Sequence, residues 1–151
     1  MFFGRRTAIE APGLARAAEH FAVSSTGLHV RVDFIVERAD ATHAAVRVVL
    51  NRAFAEKACG ALETTISKYQ AAHGAIRVAR EPTPAQPRFS SMEERAVNQL
   101  KVSYADECLF LDFRLMLTTT EKSSEFDRVF VVTAIGLAPP LLAAMRAGLR
   151  G

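Results

Sequence analysis

The segment 108–118, CLFLDFRLMLT, restricts the fold more than any other part of the chain. Alternate residues of a strand point to opposite faces, so Leu109, Leu111, Phe113, Leu115 and Leu117 line one side. Phe110 and Met116 fall on the other side, with Asp112 and Arg114. The next apolar stretch, 126–137, adds Phe126, Phe130 and Val132 to that second side. A sheet with one wet face alternates apolar with polar residues, and this ribbon does not. Both of its faces therefore need a cover. The expected cover for the second face is the terminal helix, folded back on it. The other is a second subunit, since a contiguous apolar patch marks an interface. Lys101, Asp112, Arg114 and Arg128 would edge such a patch with the polar rim of a twofold contact.

Pairing within this region can be argued residue by residue. Strands are expected at about 96–104, 108–118 and 126–137. If Asp106-Glu107 is a two-residue loop, Tyr104 faces Leu109, Val102 faces Leu111 and Leu100 faces Phe113. The same register sets Lys101 opposite Asp112 and Gln99 opposite Arg114, and a one-residue slip would destroy both patterns. Asp-Glu is not a favoured pair for such a tight turn, which argues for a longer loop.

Upstream, Leu28, Val30, Val32, Phe34 and Val36 alternate with polar neighbours through Glu37, and a return strand over 44–50 makes an antiparallel hairpin. Asn51 suits the N-cap of a helix over 52–73, with Phe54, Ala58, Leu62, Thr65, Ile66 and Tyr69 on one stripe and Gly74 as its stop. A short helix is expected over 12–22 from Leu14, Ala17, Ala18 and Phe21. Residues 75–80 are expected as a strand with Ile76 and Val78 inward. Residues 81–90, with three prolines, read as an irregular loop, and Ser91 to Glu94 as a capping box opening one helical turn. Pro139-Pro140 opens a terminal helix carrying Leu141, Leu142, Met145 and Leu149. The expectation is one α+β domain over 1–151, with residues 1–8 a flexible N-terminus. It has a mostly antiparallel sheet of about five to six strands, on which a long central helix and short N- and C-terminal helices pack.

Composition narrows function by exclusion. With 151 residues, half of them apolar, the chain is neither disordered nor a disulfide scaffold. Residues 129–145 carry no charge, but Pro139-Pro140 interrupts them, so a strand followed by a helix explains them better than a membrane span. The start has basic residues without the apolar run of a signal peptide, so a cytoplasmic, bacterial-type protein is the default. The net charge of +3 is too mild and dispersed for a phosphate-binding surface. Phe110 with Arg114 and Phe130 with Arg128 give only a faint version of a sheet that stacks bases, so nucleic-acid binding ranks last.

No catalytic or metal constellation is visible. Cys59 and Cys108 lack metal-ligand spacing, and His20, His29, His43 and His73 are unpaired with any nucleophile, so no catalytic residue, metal or cofactor is assigned. The densest ionisable group is the polar stripe His29, Arg31, Asp33 and Glu37 with Arg47 on the partner strand, read as a solvated face with cross-strand ion pairs. The leading expectation is a non-catalytic module that binds a protein partner or itself through Phe110, Met116, Phe126, Phe130 and Val132, edged by Asp112, Arg114 and Arg128. The alternative is a small-molecule binder or enzyme with an apolar pocket between long helix and sheet, lined by Phe54, Leu62 and Tyr69.

Overall fold

A computed structural model describes residues 15–37, 43–78, 89–118 and 122–151. Its strands are β1 (Ala15–Ala17), β2 (His20–Ser25), β3 (His29–Glu37), β4 (His43–Asn51), β5 (Phe89–Ala96), β6 (Gln99–Ala105), β7 (Cys108–Thr118) and β8 (Ser123–Ala134). Among the described residues two α-helices, α1 (Arg52–His73) and α2 (Ala138–Arg150), follow β4 and β8 respectively, the second after a 3-10 turn at Ile135–Leu137. The α+β class and the mainly antiparallel pairing agree with the sequence. The single sheet does not: the strands form two four-stranded sheets, ordered β1-β8-β7-β6 and β2-β3-β4-β5.

The expected helix over 12–22 is replaced, within the described residues, by β1 and β2. Phe21 and Val23 are half-buried between exposed Ala22 and Ser24, a period of two that competes with the helical spacing. Tertiary pairing prevails over the helix propensity of alanine here. The capping-box residues Ser91 to Glu94 likewise extend within β5, paired in parallel with β4. Ala75 to Val78 form no strand; Ile76 packs on the core, while Val78 is exposed. Residues 1–8 and 81–88 of the expected flexible segments lie outside the described residues.

The two sheets are stitched together at both seams. At the first, the Ala18 N–H donates to Val132 of one sheet and the Glu19 N–H to Ile35 of the other. At the second, the Val97 N–H donates to Val49 and the Asn98 N–H to Arg114. Each seam is one chain segment passing from sheet to sheet, so β1–β2 and β5–β6 act as two bent strands of a six-membered, barrel-like ring. The Thr133 hydroxyl donates to the Ala18 carbonyl at 2.8 Å, which satisfies a buried polar group at the first seam. The Asn98 side chain makes two 2.8 Å hydrogen bonds with the Met116 backbone at the second.

This ring repeats itself. Residues 15–73 form a bent strand, two more strands and a helix; residues 89–150 form the same series. In both, the first part of the bent strand pairs in parallel with the last strand of the other half: β1 with β8, β5 with β4. The registers coincide as well, since His20↔Ile35 corresponds to Gln99↔Arg114 and Asp33↔Arg47 to Asp112↔Phe130. Val30, Val32 and Phe34 thereby match Leu109, Leu111 and Phe113, and all six are buried. The equivalent rings Phe34 and Phe113 meet across the interior, with centroids 5.9 Å apart.

Both helices lie over the inner side of the ring. Asn51 caps α1 by accepting from the Phe54 N–H at 2.8 Å, and Gly74 ends it with a φ of 87°, its N–H on Gln70. Ala55, Ala58, Cys59, Leu62, Thr65 and Ile66 are its buried residues. α2 packs against α1, β2 and β3, with Leu141 and Met145 in the common core. A Cβ on its Gly148 would lie 3.5 Å from Val23 and 3.8 Å from Val30, ordinary contact with inward-facing residues. The terminal helix therefore does not cover the outer face of Phe110 and Phe130, contrary to expectation. The 3-10 turn, held by the Ile135 N–H on the Glu107 carbonyl, directs Pro139 and the helix to the inner side instead.

Candidate functional site: an aromatic face outside the second sheet

The turn between β6 and β7 sets the geometry of this face. Asp106-Glu107 does form a two-residue connection, with Asp106 at a left-handed φ of 54°. Aspartate tolerates that conformation better than most residues, which is why an unfavoured turn pair still closes the hairpin. Every pairing expected across it is present, from Tyr104↔Leu109 to Gln99↔Arg114. β8 pairs with the whole other edge of β7, from Cys108↔Ala134 to Thr118↔Ser123, its register shifting at a bulge between Leu115 and Met116. The inner row fails there: Leu115 is half-buried and Leu117 exposed, unlike Leu109, Leu111 and Phe113.

On the outer side, Phe110 and Phe130 stack nearly parallel, with centroids 5.9 Å apart and an interplanar angle of 6°. The Arg128 guanidinium carbon sits 5.7 Å from the centre of the Phe130 ring, within the range of a cation–π contact. Val132, opposite Phe110 in the register, and Met116, farther along β7 beyond Asp112 and Arg114, are half-buried, and Phe126 is 71% exposed. Among the described residues, no helix lies over this face.

Four of the charges near the stack pair with one another. Arg128 grips Asp112 with two hydrogen bonds of 2.9 and 3.1 Å, and Arg114 adds another at 2.9 Å. A further Arg114 nitrogen reaches Glu125 at 3.3 Å. Burial of the Asp112 carboxylate, 8% exposed as a residue, pushes its pKa up. Hydrogen bonds and charges from Arg128 and Arg114 outweigh this and hold it below the ordinary value. Lys101 is opposite Asp112 in the register but does not hold it; the two arginines take its oxygens.

The polar stripe is an ion-paired sheet surface. Asp33 and Arg47 are direct cross-strand partners, joined by contacts of 2.6 and 3.0 Å, and Arg47 also lies 3.6 Å from Glu94. His29 and Arg31 are half-buried on the same side, and the Nε of Arg31 is buried without a partner. Glu37 ends β3, and its side chain lies outside the described residues.

The proposed pocket residues occupy three settings. Leu62 is 1% exposed within the core. Phe54 lines an open groove of about 280 Å³ with Lys57, Asn98 and Leu100. Tyr69 sits in a ring cluster, 4.8 Å from His73 and 5.1 Å from Tyr104. A larger groove of about 470 Å³ separates the helices, floored by Ile66 and Leu142 and bordered by the Glu63–Arg146 ion pair. Cys59 is buried in α1, and that burial pushes its thiol pKa up, away from nucleophilic chemistry. Cys108 is exposed and stands on the same outer row as Phe110.

Sequence reasoning missed the correspondence of the halves. The signal was present: the Asp-Phe pairs at 33–34 and 112–113 recur on equivalent strands, as do Val23-Ser24 and Val102-Ser103. No family model matches this chain, nor does any curated protein match its sequence.

Proposed function

We propose that this protein is a non-catalytic, cytoplasmic binding module that docks a protein partner, or itself, on the outer face bearing Phe110 and Phe130. The observation that carries this reading is a substitution between the two halves. At the positions matching Phe110 and Phe130, the first half places Arg31 and Arg47 on an equally complete sheet. The strand positions themselves do not require aromatics. A stack of two phenylalanines beside Val132, with no helix above it among the described residues, suits contact with another macromolecule better than it suits water.

The charge arrangement favours a protein over nucleic acid. Phosphate binding needs cations free to replace counterions, whereas Arg114 and Arg128 are already committed to Asp112 and Glu125. A docking partner of ordinary polarity needs no such cations.

The test is site-specific photo-cross-linking in the cell of origin. A photoreactive residue replaces Ser103, exposed and opposite Phe110, or its counterpart Ser24, exposed and opposite Arg31. Discrete protein adducts from position 103, lost on Phe110→Arg, are expected. Adducts from neither position, or equally from both, would remove the assignment.

A further inference from the structure

We propose that an acidic polypeptide segment docks along the seam between α1 and β6, a surface separate from the aromatic face. α1 packs against β6 and runs beside it. At one end Ala58 and Leu100 line one open groove, and at the other the Tyr69 and Tyr104 rings lie 5.1 Å apart. Lys57 lines that groove together with Gln99. Lys68 repeats the placing of Lys57 about three turns on, within about 20° round the helix, as Tyr69 repeats that of Ala58. Lys101 stands between these two points, on the exposed row of β6 with Gln99 and Ser103. Cations that are scattered in sequence thus form one basic stripe.

The stripe has no anion of its own. Lys57, Lys68 and Lys101 are exposed, and none makes an ion pair among the described residues. The acids of α1, Glu56 and Glu63, share another flank about 100° round the helix, where Glu63 pairs with Arg146 of α2. Lys101 faces Asp112 across the ladder, but Arg114 and Arg128 take that carboxylate. A groove edged by one sign of charge concentrates the opposite sign. The matching seam, between α2 and β2, shows that packing does not require these cations. There Ala22 stands in the place of Lys101, and Gly148 makes the close approach of the helix.

The chemistry favours carboxylates over phosphates. All three cations are lysines, which lack the planar fork with which arginine grips a phosphate. Tyr69, His73 and Tyr104 meet one another in tilted and edge-to-face pairs, so they offer no parallel platform for stacked bases. Lys57 and Lys68 are about 16 Å apart along the helix axis, a span that about five residues of extended chain cover. Beside Lys57 the groove of about 280 Å³, walled by Phe54, Ala58 and Leu100, has room for one apolar side chain. An acidic segment with an apolar residue near one end meets both demands.

Carbodiimide coupling of a fluorescein-labelled oligo-glutamate peptide to the wild-type chain tests the proposal, because it joins a carboxylate to the lysine amine beside it. Adducts mapped by mass spectrometry are expected at Lys57, Lys68 and Lys101, and not at Lys122, which is exposed just before β8. Anisotropy should show the peptide bound at low salt and released as salt rises. Changing all three lysines to glutamate should weaken binding at least about tenfold. Changing them to arginine should preserve it, and Arg150→Glu at the exposed end of α2 should leave it unchanged.

A wild type that does not bind, adducts as abundant at Lys122, or an equal loss from Arg150→Glu would overturn the proposal. So would tighter binding of oligo(dT), or binding of phosphatidylserine vesicles but not of the peptide, which would give the stripe to nucleic acid or to a membrane. Phe110→Arg should leave peptide binding intact, so the fate of this seam and that of the aromatic face are read separately.

Discussion

The half spanning 15–73 and the half spanning 89–150 are built on the same pairing plan, and their inner surfaces agree closely. Val30, Val32, Phe34, Val46 and Val48 have apolar counterparts in Leu109, Leu111, Phe113, Val129 and Val131, all buried. Their outer surfaces agree at a few points: Ser24 matches Ser103, Val49 matches Val132, and Asp33 and Asp112 are each held by arginine. Elsewhere outside, the halves part, with Arg31 against Phe110 and Arg47 against Phe130. Positions that maintain the ring keep their chemistry in both halves. Positions free of that duty differ, and there a specific use can be sought.

The largest expected effect tests the shared interior. Phe34→Ala and Phe113→Ala should each destabilise the protein by about 3–5 kcal/mol, measured by chemical denaturation. Because the rings touch, the double variant should cost less than the sum of the two, and strict additivity would mean that the contact contributes nothing. Marked inequality between the two single variants would break the equivalence of the halves.

The aspartates come next. Asp112→Asn removes a carboxylate shared by two arginines and should cost about 2–3 kcal/mol. Asp33→Asn removes a carboxylate hydrogen-bonded to a single arginine and should cost about 1 kcal/mol. Equal losses would show that the second arginine on Asp112 contributes nothing.

Acid titration sharpens the same contrast. The folded-state pKa of Asp112 is depressed, so its ionised form stabilises the fold at any pH above the ordinary value of 3.8. That stabilisation is lost as the pH falls below 3.8 and through the lower folded value. Asp112→Asn should therefore flatten the decline of the melting temperature in that acid range, and an unchanged profile would contradict the ion-pair assignment. The smallest effect on stability is expected from Phe110→Arg and Phe130→Arg, each within about 1 kcal/mol of wild type, since the other half carries arginine there. A larger loss would show that the aromatic stack supports the fold and would weaken its role in docking.

Much of this architecture was legible where a single local rule dominated. Helix 52–73 followed from one apolar stripe between Asn51 and Gly74, and strand 108–118 from its alternation. Its register with 99–105 followed from matching both faces at once. Residues 15–22 read as helix because Leu14, Ala17, Ala18 and Phe21 satisfy a helical spacing, while the strand partners of Ala15 to Ala17 lie far away in sequence. The pairing of β1 with Phe130 to Val132 leaves no local trace. The outer aromatic residues were found from their alternation, but not the cover: α2 is amphipathic, and its sequence does not say which side of the sheet it will join. The bulge at Leu115/Met116, which exposes Leu117, also lacked a local marker.

The first seam has a consequence for how the chain matures. Ala15 to Ala17 can find their partners only when Phe130 to Val132 exist, and the Thr133 hydroxyl that secures Ala18 comes later still. On the ribosome, the earliest of these strands must wait for almost the last. Contacts so distant in sequence slow folding, because a long loop must close before any pairing rewards it. A nascent chain that has lost its final third would present β1 with an unsatisfied ladder, so quality control should recognise C-terminal truncations as unfinished throughout.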